Sequence, residues 1–324
     1  MKAAIRGEHG LELVEVEPPR PGPQEVLVRV RACALNRADL GVLAGHMHGN
    51  IGGPGTVLGM EWAGEVVQAG SAVDGFAPGD RVMCTGRAAL AQYAVADIGR
   101  TMKLPDPAMS FERAATLPVA LQTMHDAVVT NGRLKAGETV LIQGASSGVG
   151  LMAMQVARAM GARLVIGTST NAARRARLAE FGADLALDSG DERWVARALE
   201  ATGGRGVDLI VDQLSGRVAN QNMAAAAVLG RIVNVGRLAG TRAEFDFDLH
   251  ALRRIDYIGV TFRTRSVQEV RDLNARMMAD LWPHLCAGRL SLPIDSVYPF
   301  ERTGEAYEHM RANRHFGKIV VAMA

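Results

Sequence analysis

Apolar and polar positions alternate with a period of two in the first third of the chain. Residues 11–17 and 26–31 show this alternation most clearly, which predicts half-buried β-strands. Residues 59–68 and a segment that starts at Arg81 are predicted as further strands, whereas residues 34–45 are predicted as a short helix. The first 110 residues or so are therefore predicted to be β-rich.

Beyond residue 111 the pattern changes to strands that alternate with helices. Residues 111–129 have helical spacing, with a break or kink predicted at Pro118. The predicted strands are 140–143, 163–167, 184–187, 207–212, 231–235 and 255–260; the predicted helices are 151–160, 171–181 (ended by Gly182), 192–201 and 218–229. Such alternation is typical of a parallel sheet with helices on both faces. A long helix over 267–282 and a strand over 316–322 are predicted in the tail, which we expect to return to the first domain.

The segment VLIQGASSGVG (residues 140–150) combines a buried strand, a glycine turn and a helix start. Gly144 opens the turn, and Gly148 and Gly150 stand where the helix begins. This geometry points backbone N–H groups and the positive end of a helix dipole at a phosphate. The match to G-x-G-x-x-G is imperfect, because Ala145 and Ser147 stand at the other two glycine positions. The flanking strand and helix favour a nucleotide-binding turn over a close-packed turn without a ligand.

Length and composition narrow the class of protein. A chain of 324 residues, 48% hydrophobic and 22% charged, is long enough for two globular domains. Its net charge of +2 gives no electrostatic reason to expect nucleic acid or an anionic membrane as a partner. The three cysteines lie far apart, which argues against a disulfide framework and a cysteine-rich zinc lobe. Neither a signal peptide nor a membrane span is indicated, so a cytoplasmic location is expected.

The end of the second strand of the alternating region indicates which dinucleotide is bound. Enzymes that use NAD usually carry Asp or Glu there, about 20 residues after the glycines. Here the strand ends in Thr168, Ser169 and Thr170, and Arg174 and Arg175 follow within one helical turn. Hydroxyls and arginine suit a 2′-phosphate, which a carboxylate would repel. NADPH is therefore the predicted cofactor, although the two arginines have the alternative interpretation of a solvated helix face.

Six segments together resemble one protein family. They are ACALNRADL (32–40), LGMEWAGEVVQAG (58–70), APGDRV (77–82), GASSGVG (144–150), GRIVNVG (230–236) and HFGKIVV (315–321). The chain resembles the medium-chain dehydrogenase/reductase superfamily, and within it the zinc-independent, zeta-crystallin-like quinone oxidoreductases. The resemblance implies an α/β protein with a GroES-like, partly open β-barrel catalytic domain (1–115, completed by 265–324). It also implies a Rossmann NADP-binding domain, a doubly wound parallel sheet, over 116–264.

The residues at the positions of the zinc ligands argue against a metal. Zinc-containing relatives use a cysteine, the histidine of a G-H-E motif and a third ligand. Here the motif reads Gly59-Met60-Glu61, and Asn36 falls near the cysteine position. A thioether is a poor substitute for imidazole on zinc. His46 and His48 form a His-x-His pair that could bind a cation, but a solvated loop is the favoured interpretation, and a contact with substrate is a further alternative.

The resemblance also implies which residues line the cofactor. Asn36 is expected near the nicotinamide ribose and Thr123 near the nicotinamide or its phosphate, with the pyrophosphate beside Ser147, Gly148 and Val149. The adenosine end is predicted at Thr168, Ser169 and Arg174; the remaining edge is expected at Leu214, Gly236, Arg237, Phe262 and Arg263. Three of these positions have structural alternatives: a strand-end turn for Gly236, a core position for Phe262 and a helix cap for Asn36.

The absence of a recognisable catalytic acid limits the predicted substrate. None of the four tyrosines falls in a motif that resembles a catalytic one. A quinone or an α,β-unsaturated carbonyl spreads the developing charge by conjugation and needs little beyond positioning. We therefore expect NADPH-dependent reduction of a quinone or enone, with the proton supplied by solvent or by Asn36, Asp39 or His46.

Two other functions remain open. One is an enoyl or alkenal double-bond reductase with the same fold and cofactor. The other is an NADPH-binding, crystallin-like structural or RNA-binding protein, against which the absence of a basic stripe argues. A homodimer is expected from the resemblance, because residues 231–235 and the segment up to residue 260 approach a sheet edge at which family members commonly pair.

Overall fold

The structure is a computed structural model and describes residues 1–49 and 51–323. Its strands are, in chain order, β1 Lys2–Arg6, β2 Leu11–Glu15, β3 Glu25–Ala34, β4 Glu61–Ala69, β5 Arg81–Thr85, β6 Tyr93–Asp97, β7 Thr101–Lys103, β8 Thr139–Gln143, β9 Leu164–Thr168, β10 Leu185–Leu187, β11 Val207–Asp212, β12 Ala226–Asn234, β13 Asp256–Gly259, β14 Ile294–Pro299 and β15 Lys318–Ala322. The α-helices are α1 Arg37–Leu43, α2 Phe111–Ala115, α3 Pro118–His125, α4 Gly148–Ala159, α5 Ala172–Ala176, α6 Trp194–Ala201, α7 Ala219–Ala225, α8 Phe247–Arg253, α9 Val267–Cys286 and α10 Thr303–Arg311. In the part of the chain that is described, none of these helices is long and apolar enough to cross a membrane.

The chain divides into two compact units. Unit 1 comprises Met1–Val119, Phe262–Trp282 and Ser291–Ala324, and unit 2 comprises Ala120–Thr261 and Pro283–Leu290. Each unit has its own sheet and its own apolar core.

Unit 2 contains a six-stranded sheet in the order β10-β9-β8-β11-β12-β13, in which all neighbours are parallel. The predicted parallel sheet is therefore confirmed. Numbered by their appearance in this sheet, the strands run 3-2-1-4-5-6, which is the order of dinucleotide-binding folds. The direction of winding reverses between β8 and β11. Ligands of open α/β sheets bind at such a switch point, outside the carboxyl ends of the strands.

Two predicted element boundaries are confirmed. Pro118 breaks the helical segment and occupies the first position of α3, where its missing N–H has no partner to lose. Gly182 adopts the left-handed conformation at φ 96° and ends the turn that follows α5.

The helix predicted over 218–229 extends too far, because its last four residues belong to strand β12. Helix α7 ends at Ala225, and β12 begins at Ala226, which pairs with Val207 of β11. The alanine-rich segment favours helix locally, but parallel pairing and burial of Ala226 and Ala227 override that preference. Strands β1, β6, β7 and β14 and helices α8 and α10 were not predicted at all.

Unit 1 is β-rich, as predicted. Its main sheet runs β14-β15-β3-β4-β5-β7, with β6 also pairing with β3, and β1 and β2 form a separate ribbon. All these pairs are antiparallel except β14 with β15.

The order β15-β3-β4 places three strand ends side by side. Val320 lies opposite Ala34, and Cys33 lies opposite Trp62. Therefore Lys318 at the start of β15, Asn36 just after β3 and Glu61 at the start of β4 meet at one edge of the sheet.

Candidate functional site

The glycine turn of unit 2 is held closed by Ser147. Its Oγ accepts a hydrogen bond from the amide of Gly150 at 3.1 Å and so caps the twelve-residue helix α4. The same hydroxyl lies 3.0 Å from the carbonyl of Gly144 and 2.8 Å from Oε1 of Gln213. A Cβ on Gly150 would lie 2.6 Å from the Gly144 carbonyl oxygen, so this position has no space for a side chain.

Two backbone amides in the first turn of α4, those of Gly148 and Val149, donate no hydrogen bond within the described part of the protein. The first N–H groups of a helix have no acceptor within it. The hydrogen bonds of the described residues satisfy Gly150 and Leu151 through Ser147, but include none from the amides of Gly148 and Val149. These amides and the helix dipole form a site for an anionic group.

The end of β9 contributes hydroxyls to the same turn. Oγ1 of Thr168 accepts from the amide of Gly144 at 3.1 Å and donates to Oε1 of Gln143 at 2.7 Å. Oγ of Ser169 donates to Oγ of Ser146 at 3.0 Å. The predicted residues Thr168 and Ser169 are thus joined to the turn that contains Ser147, Gly148 and Val149.

Two arginines follow β9 on α5. Arg175 donates from Nη1 to the carbonyl of Ser169 at 2.7 Å and lies 3.0 Å from Oδ2 of Asp188, which follows β10. The amide of Arg174 is capped by the side chain of Asn171 at 3.0 Å. A carboxylate therefore does lie near this region, but it belongs to the next strand and is paired with Arg175.

The loops after β11 and β12 complete the carboxyl edge of the sheet. Asp212 is fully buried, its Oδ1 accepts from the amides of Leu214 and Ser215 at 2.8 and 2.9 Å, and burial raises its pKa. Oγ of Ser215 donates to the carbonyl of Gly236 at 2.6 Å. The predicted residues Leu214 and Gly236 are therefore neighbours, and the adjacent Arg237 is exposed.

Unit 1 contains a buried polar cluster at the three strand ends described above. Nζ of Lys318 lies 2.5 Å from Oε1 of Glu61 and donates to Oδ1 of Asn36 at 3.0 Å. Nδ2 of Asn36 donates to the same Glu61 oxygen at 2.9 Å, and the amide of Val119 donates to Oε2 of Glu61 at 2.9 Å. The side chains of Lys318 and Glu61 are 7% and 0% exposed. The charges of this buried pair are therefore compensated within the cluster.

Asp39 extends this cluster inward. Its Oδ2 accepts a hydrogen bond at 2.8 Å from the backbone amide of Asn36, the N-cap residue of α1. The residue is 1% exposed. Burial raises the pKa of this carboxyl to about 7, despite the hydrogen bond from Asn36 and the positive charge of Lys318. Burial also raises the pKa of the neighbouring Cys33 thiol and Tyr307 hydroxyl well above their ordinary values.

The remaining predicted residues lie outside these two clusters. His46 is exposed and His48 is half-buried; burial lowers the pKa of His48, and the nearby Arg263 lowers it further. Phe262 is half-buried under the guanidinium of Arg265, whose Cζ lies 5.3 Å from the ring centroid. Thr123 is half-buried on α3.

The structure thus brings the predicted residues together in two groups, one in each unit. In unit 2 these are Ser147, Gly148, Val149, Thr168, Ser169, Arg174, Leu214, Gly236 and Arg237, along the carboxyl edge of the sheet. In unit 1, Asn36 and Asp39 meet around one helix cap.

Known proteins match this chain along most of its length. Residues 22–106 match the family model described as alcohol dehydrogenase GroES-like domain, and residues 148–278 match the one described as zinc-binding dehydrogenase. The synaptic vesicle membrane protein VAT-1 homolog of Rattus norvegicus is 30% identical over 319 residues, which cover 94% of this chain and 78% of that protein. The chain belongs to the medium-chain dehydrogenase/reductase superfamily.

Two further proteins are similar to this chain, one much longer than it and one of the same length. The hybrid PKS-NRPS synthetase pyvA of Aspergillus violaceofuscus is 32% identical over 311 residues, but the chain spans only 8% of its length. A solved quinone oxidoreductase of Pseudomonas syringae pv. Tomato DC3000 superposes with a TM-score of 0.87 at 27% identity, with 99% of both chains covered. Medium-chain dehydrogenase/reductase proteins are oxidoreductases that use a nicotinamide cofactor, NAD or NADP, and act on small molecules.

The residues of unit 2 fit such a cofactor. Nε2 of Gln213 is buried and has no hydrogen-bond partner in the described part of the protein. Buried donors are nearly always paired, so this atom is available to an acceptor on a ligand. With the amides of Gly148 and Val149 it provides three donors beside the switch point, where the dinucleotide would be held.

A catalytic zinc does not fit the residues of unit 1. By the resemblance set out above, Met60 falls at the position of one zinc ligand and Asn36 near that of another, and the side-chain amide of Asn36 is engaged by Lys318 and Glu61. The Lys318 ammonium already neutralises Glu61 and would repel a second cation. Within residues 1–49 and 51–323 there is no group of three His, Cys, Asp or Glu side chains that could hold a metal ion.

Two side chains of the candidate site, Lys318 and Gln213, were not among the residues predicted from the sequence. Lys318 is a lysine in the otherwise apolar segment HFGKIVV, and a charged residue at a buried strand position is the signal that could have identified it. Gln213 directly follows the buried strand β11, at an edge where polar side chains commonly meet ligands.

Proposed function

We propose that this chain is an NADPH-dependent, metal-free reductase that transfers hydride to quinones or other conjugated carbonyls. The observation that carries the proposal is the polar cluster of unit 1, in which the Lys318 ammonium engages both the side-chain amide of Asn36 and the carboxylate of Glu61 and so leaves no ligand set for a metal. Without a Lewis acid, the acceptor itself must spread the charge that hydride transfer places on it.

The preference for NADPH rests on the end of β9. Thr168, Ser169 and Thr170 offer hydroxyls and no carboxylate, and Arg174 and Arg175 follow on α5. The nearest acid, Asp188, is paired with Arg175 and does not take the place of the acid that binds the ribose 2′-hydroxyl in NAD enzymes. A 2′-phosphate would therefore meet hydroxyls and guanidinium groups.

The cofactor, when bound, supplies the hydride, and the protein's residues bind and orient it. The amides of Gly148 and Val149 would hold the pyrophosphate, and Ser147 fixes the turn that presents them. Asn36 offers at most one free lone pair on Oδ1, since Lys318 uses the other and both Nδ2 hydrogens have acceptors. If it meets the nicotinamide ribose, it would accept a hydrogen bond from a hydroxyl.

Asn36 and Asp39 are poor proton donors in this arrangement. Both hydrogens of the Asn36 side-chain amide are donated to other acceptors. Asp39 is buried, and one of its carboxyl oxygens accepts from the backbone amide of Asn36 at the start of α1. His46 is exposed, so solvent or His46 is the better source of the proton that completes reduction.

Oxidation of NADPH at 340 nm tests the proposal. We expect turnover with 9,10-phenanthrenequinone or a naphthoquinone, a lower rate with NADH, and no effect of a chelator. The control is a simple alcohol with NADP, which should not react. Alcohol oxidation that a chelator abolishes, with zinc bound in stoichiometric amount, would refute the metal-free assignment.

An enoyl or alkenal double-bond reductase is the second candidate, because an α,β-unsaturated carbonyl delocalises charge in the same way. Comparison of kcat/KM for a quinone and an enone under identical conditions distinguishes the two. A third candidate is a structural NADPH-binding protein, which predicts tight cofactor binding without turnover of either acceptor.

We further propose that the chain forms a homodimer through the edge strand β13. Phe245, Phe247, His250 and Tyr257 surround a surface cavity of about 600 Å³ beside this strand, and Phe247 is 75% exposed. An unpaired edge strand next to exposed aromatic residues favours association. Sedimentation of the wild type and of Phe247→Glu tests this: a dimer that becomes a monomer supports the proposal, whereas a wild-type monomer contradicts it.

A further inference from the structure

Gln213 is a side chain beside the phosphate turn whose hydrogen-bonding capacity is half used within the described residues. It is 2% exposed and directly follows β11 at the switch point of the sheet. Its Oε1 accepts from the hydroxyl of Ser147 at 2.8 Å, whereas its Nε2 is buried and unpaired within the described residues. A buried donor without an acceptor destabilises the folded protein unless something binds to it.

The contact with Ser147 lies at the Oε1 end of the Gln213 amide. Ser147 caps α4 by accepting from Gly150, so its own hydrogen is free to donate, and the Gly144 carbonyl at 3.0 Å and Oε1 of Gln213 at 2.8 Å are both within reach of it. Oε1 thus faces the cap, and Nε2 is the atom without a partner in the described residues. The free atom is therefore a donor, beside the amides of Gly148 and Val149, which are donors too.

Gln213 is also held from the other side. Its carbonyl accepts from the amide of Leu238 at 3.2 Å, and a Cβ on Gly236 would lie 2.5 Å from that carbonyl oxygen. The close approach at Gly236 leaves the backbone of Gln213 little room to move. The backbone of Gln213 is therefore fixed on this side, and its side chain is anchored at the Oε1 end by Ser147.

We propose that Gln213 is a binding residue for the pyrophosphate of the dinucleotide, to which its Nε2 donates a hydrogen bond. Three donors, two from the backbone and one from this side chain, then converge on one anionic group. The inference rests on the proposed dinucleotide function but not on the choice between NADPH and NADH, since both contain the pyrophosphate.

The test is direct binding of NADPH and NADH to the full chain, measured by ligand fluorescence, together with the apo melting temperature. Gln213→Glu has nearly the same shape but replaces the donor with a carboxylate, and we expect its Kd to rise at least 30-fold. For Gln213→Met we expect about a tenfold rise in Kd and an apo melting temperature no lower than that of wild type, because the unpaired donor is gone. The matched control is Gln155→Met on the same helix as the turn, whose amide donates to the Leu151 carbonyl at 3.0 Å; its Kd should not change.

Two fragments of the dinucleotide, one with and one without the pyrophosphate, localise the contact when they compete with fluorescent NADPH. Gln213→Met should weaken ADP-ribose as much as NADH and leave 2′-AMP unaffected, because 2′-AMP lacks the pyrophosphate. A purely structural role predicts the reverse pattern, with a lower apo melting temperature and an unchanged Kd, and would overturn the inference. An unchanged Kd in Gln213→Glu would overturn it as well, since it would mean that an acceptor atom faces the ligand. A wild type that binds NADH better than NADPH would refute only the proposed cofactor preference, and one that binds neither would refute both proposals.

Discussion

Asp39 is the residue whose removal should change the pH dependence of stability most clearly. It is 1% exposed, and burial raises its pKa from 3.8 to about 7. The folded protein therefore keeps this proton between pH 4 and 7, where the unfolded chain has released it. Since the folded state binds more protons in that window, its free energy of unfolding falls as the pH rises through it and stays low above pH 7.

The size of the effect follows from the pKa difference. At about 1.4 kcal/mol per pKa unit, the buried carboxylate lowers the free energy of unfolding by about 4 kcal/mol above pH 7 and by about 1–2 kcal/mol at pH 5. Asp39→Asn removes the titration, and the amide oxygen can still accept from the Asn36 amide that caps α1. Relative to wild type, the variant should therefore gain about 2–3 kcal/mol of stability between pH 5 and pH 8.

Urea unfolding at four pH values from 5 to 8 measures this difference. In a Trp194→Phe background the remaining tryptophans, Trp62 and Trp282, both belong to unit 1, so their fluorescence follows the unit that contains Asp39. The control Glu8→Gln changes an exposed carboxylate of the same unit and should keep the wild-type pH profile. A difference between Asp39→Asn and wild type that is constant across pH would refute the reasoning, since loss or gain of a hydrogen bond alone does not depend on pH.

Three further predictions concern other parts of the molecule. Lys318→Met should lower the free energy of unfolding by about 3–5 kcal/mol because it leaves Glu61 buried and unpaired, whereas the double variant E61Q/K318M should recover most of the loss in the same urea assay. Gly182→Ala should cost about 1–2 kcal/mol, because φ is 96° there, and an unchanged melting temperature would contradict this. Replacing Arg174 and Arg175 together by serine should raise the Kd for NADPH at least tenfold while that for NADH changes less than threefold; equal losses for both cofactors would mean that the arginines do not contact the 2′-phosphate.

All strands and most helices of unit 2 were predictable because local pattern and tertiary structure agree there, whereas α8 was not. Buried parallel strands are continuous apolar segments, and Gly182 requires the conformation that its sequence position indicates. The helix over 218–229 failed at Ala226 for the opposite reason, since alanine favours helix locally while pairing with Val207 of β11 requires a strand.

Only those parts of the candidate site that lie in one continuous segment could be predicted from the sequence. The turn from Gly144 to Gly150 is one continuous segment, so its role could be inferred from spacing. The contact between Lys318 and Glu61 joins residues 257 positions apart and depends on the order β15-β3-β4, which no periodicity reveals. Gln213 was missed because its significance lies in an unpaired atom, which becomes evident only in the folded protein.

Under the proposed function, the charges of the unit 1 cluster limit which acceptors can be reduced. Lys318 is cancelled by Glu61 at 2.5 Å, and Asp39 adds a negative charge as the pH rises above about 7. The cluster thus offers no surplus positive charge to an alkoxide, in contrast to a zinc ion at the same positions. We therefore expect kcat/KM to follow the stability of the product anion, with phenanthrenequinone above an enone and an enone above a simple ketone. Equal kcat/KM values for an enone and its saturated ketone would mean that an acid elsewhere in the protein stabilises the oxyanion, and the argument from the cluster's charge would fail.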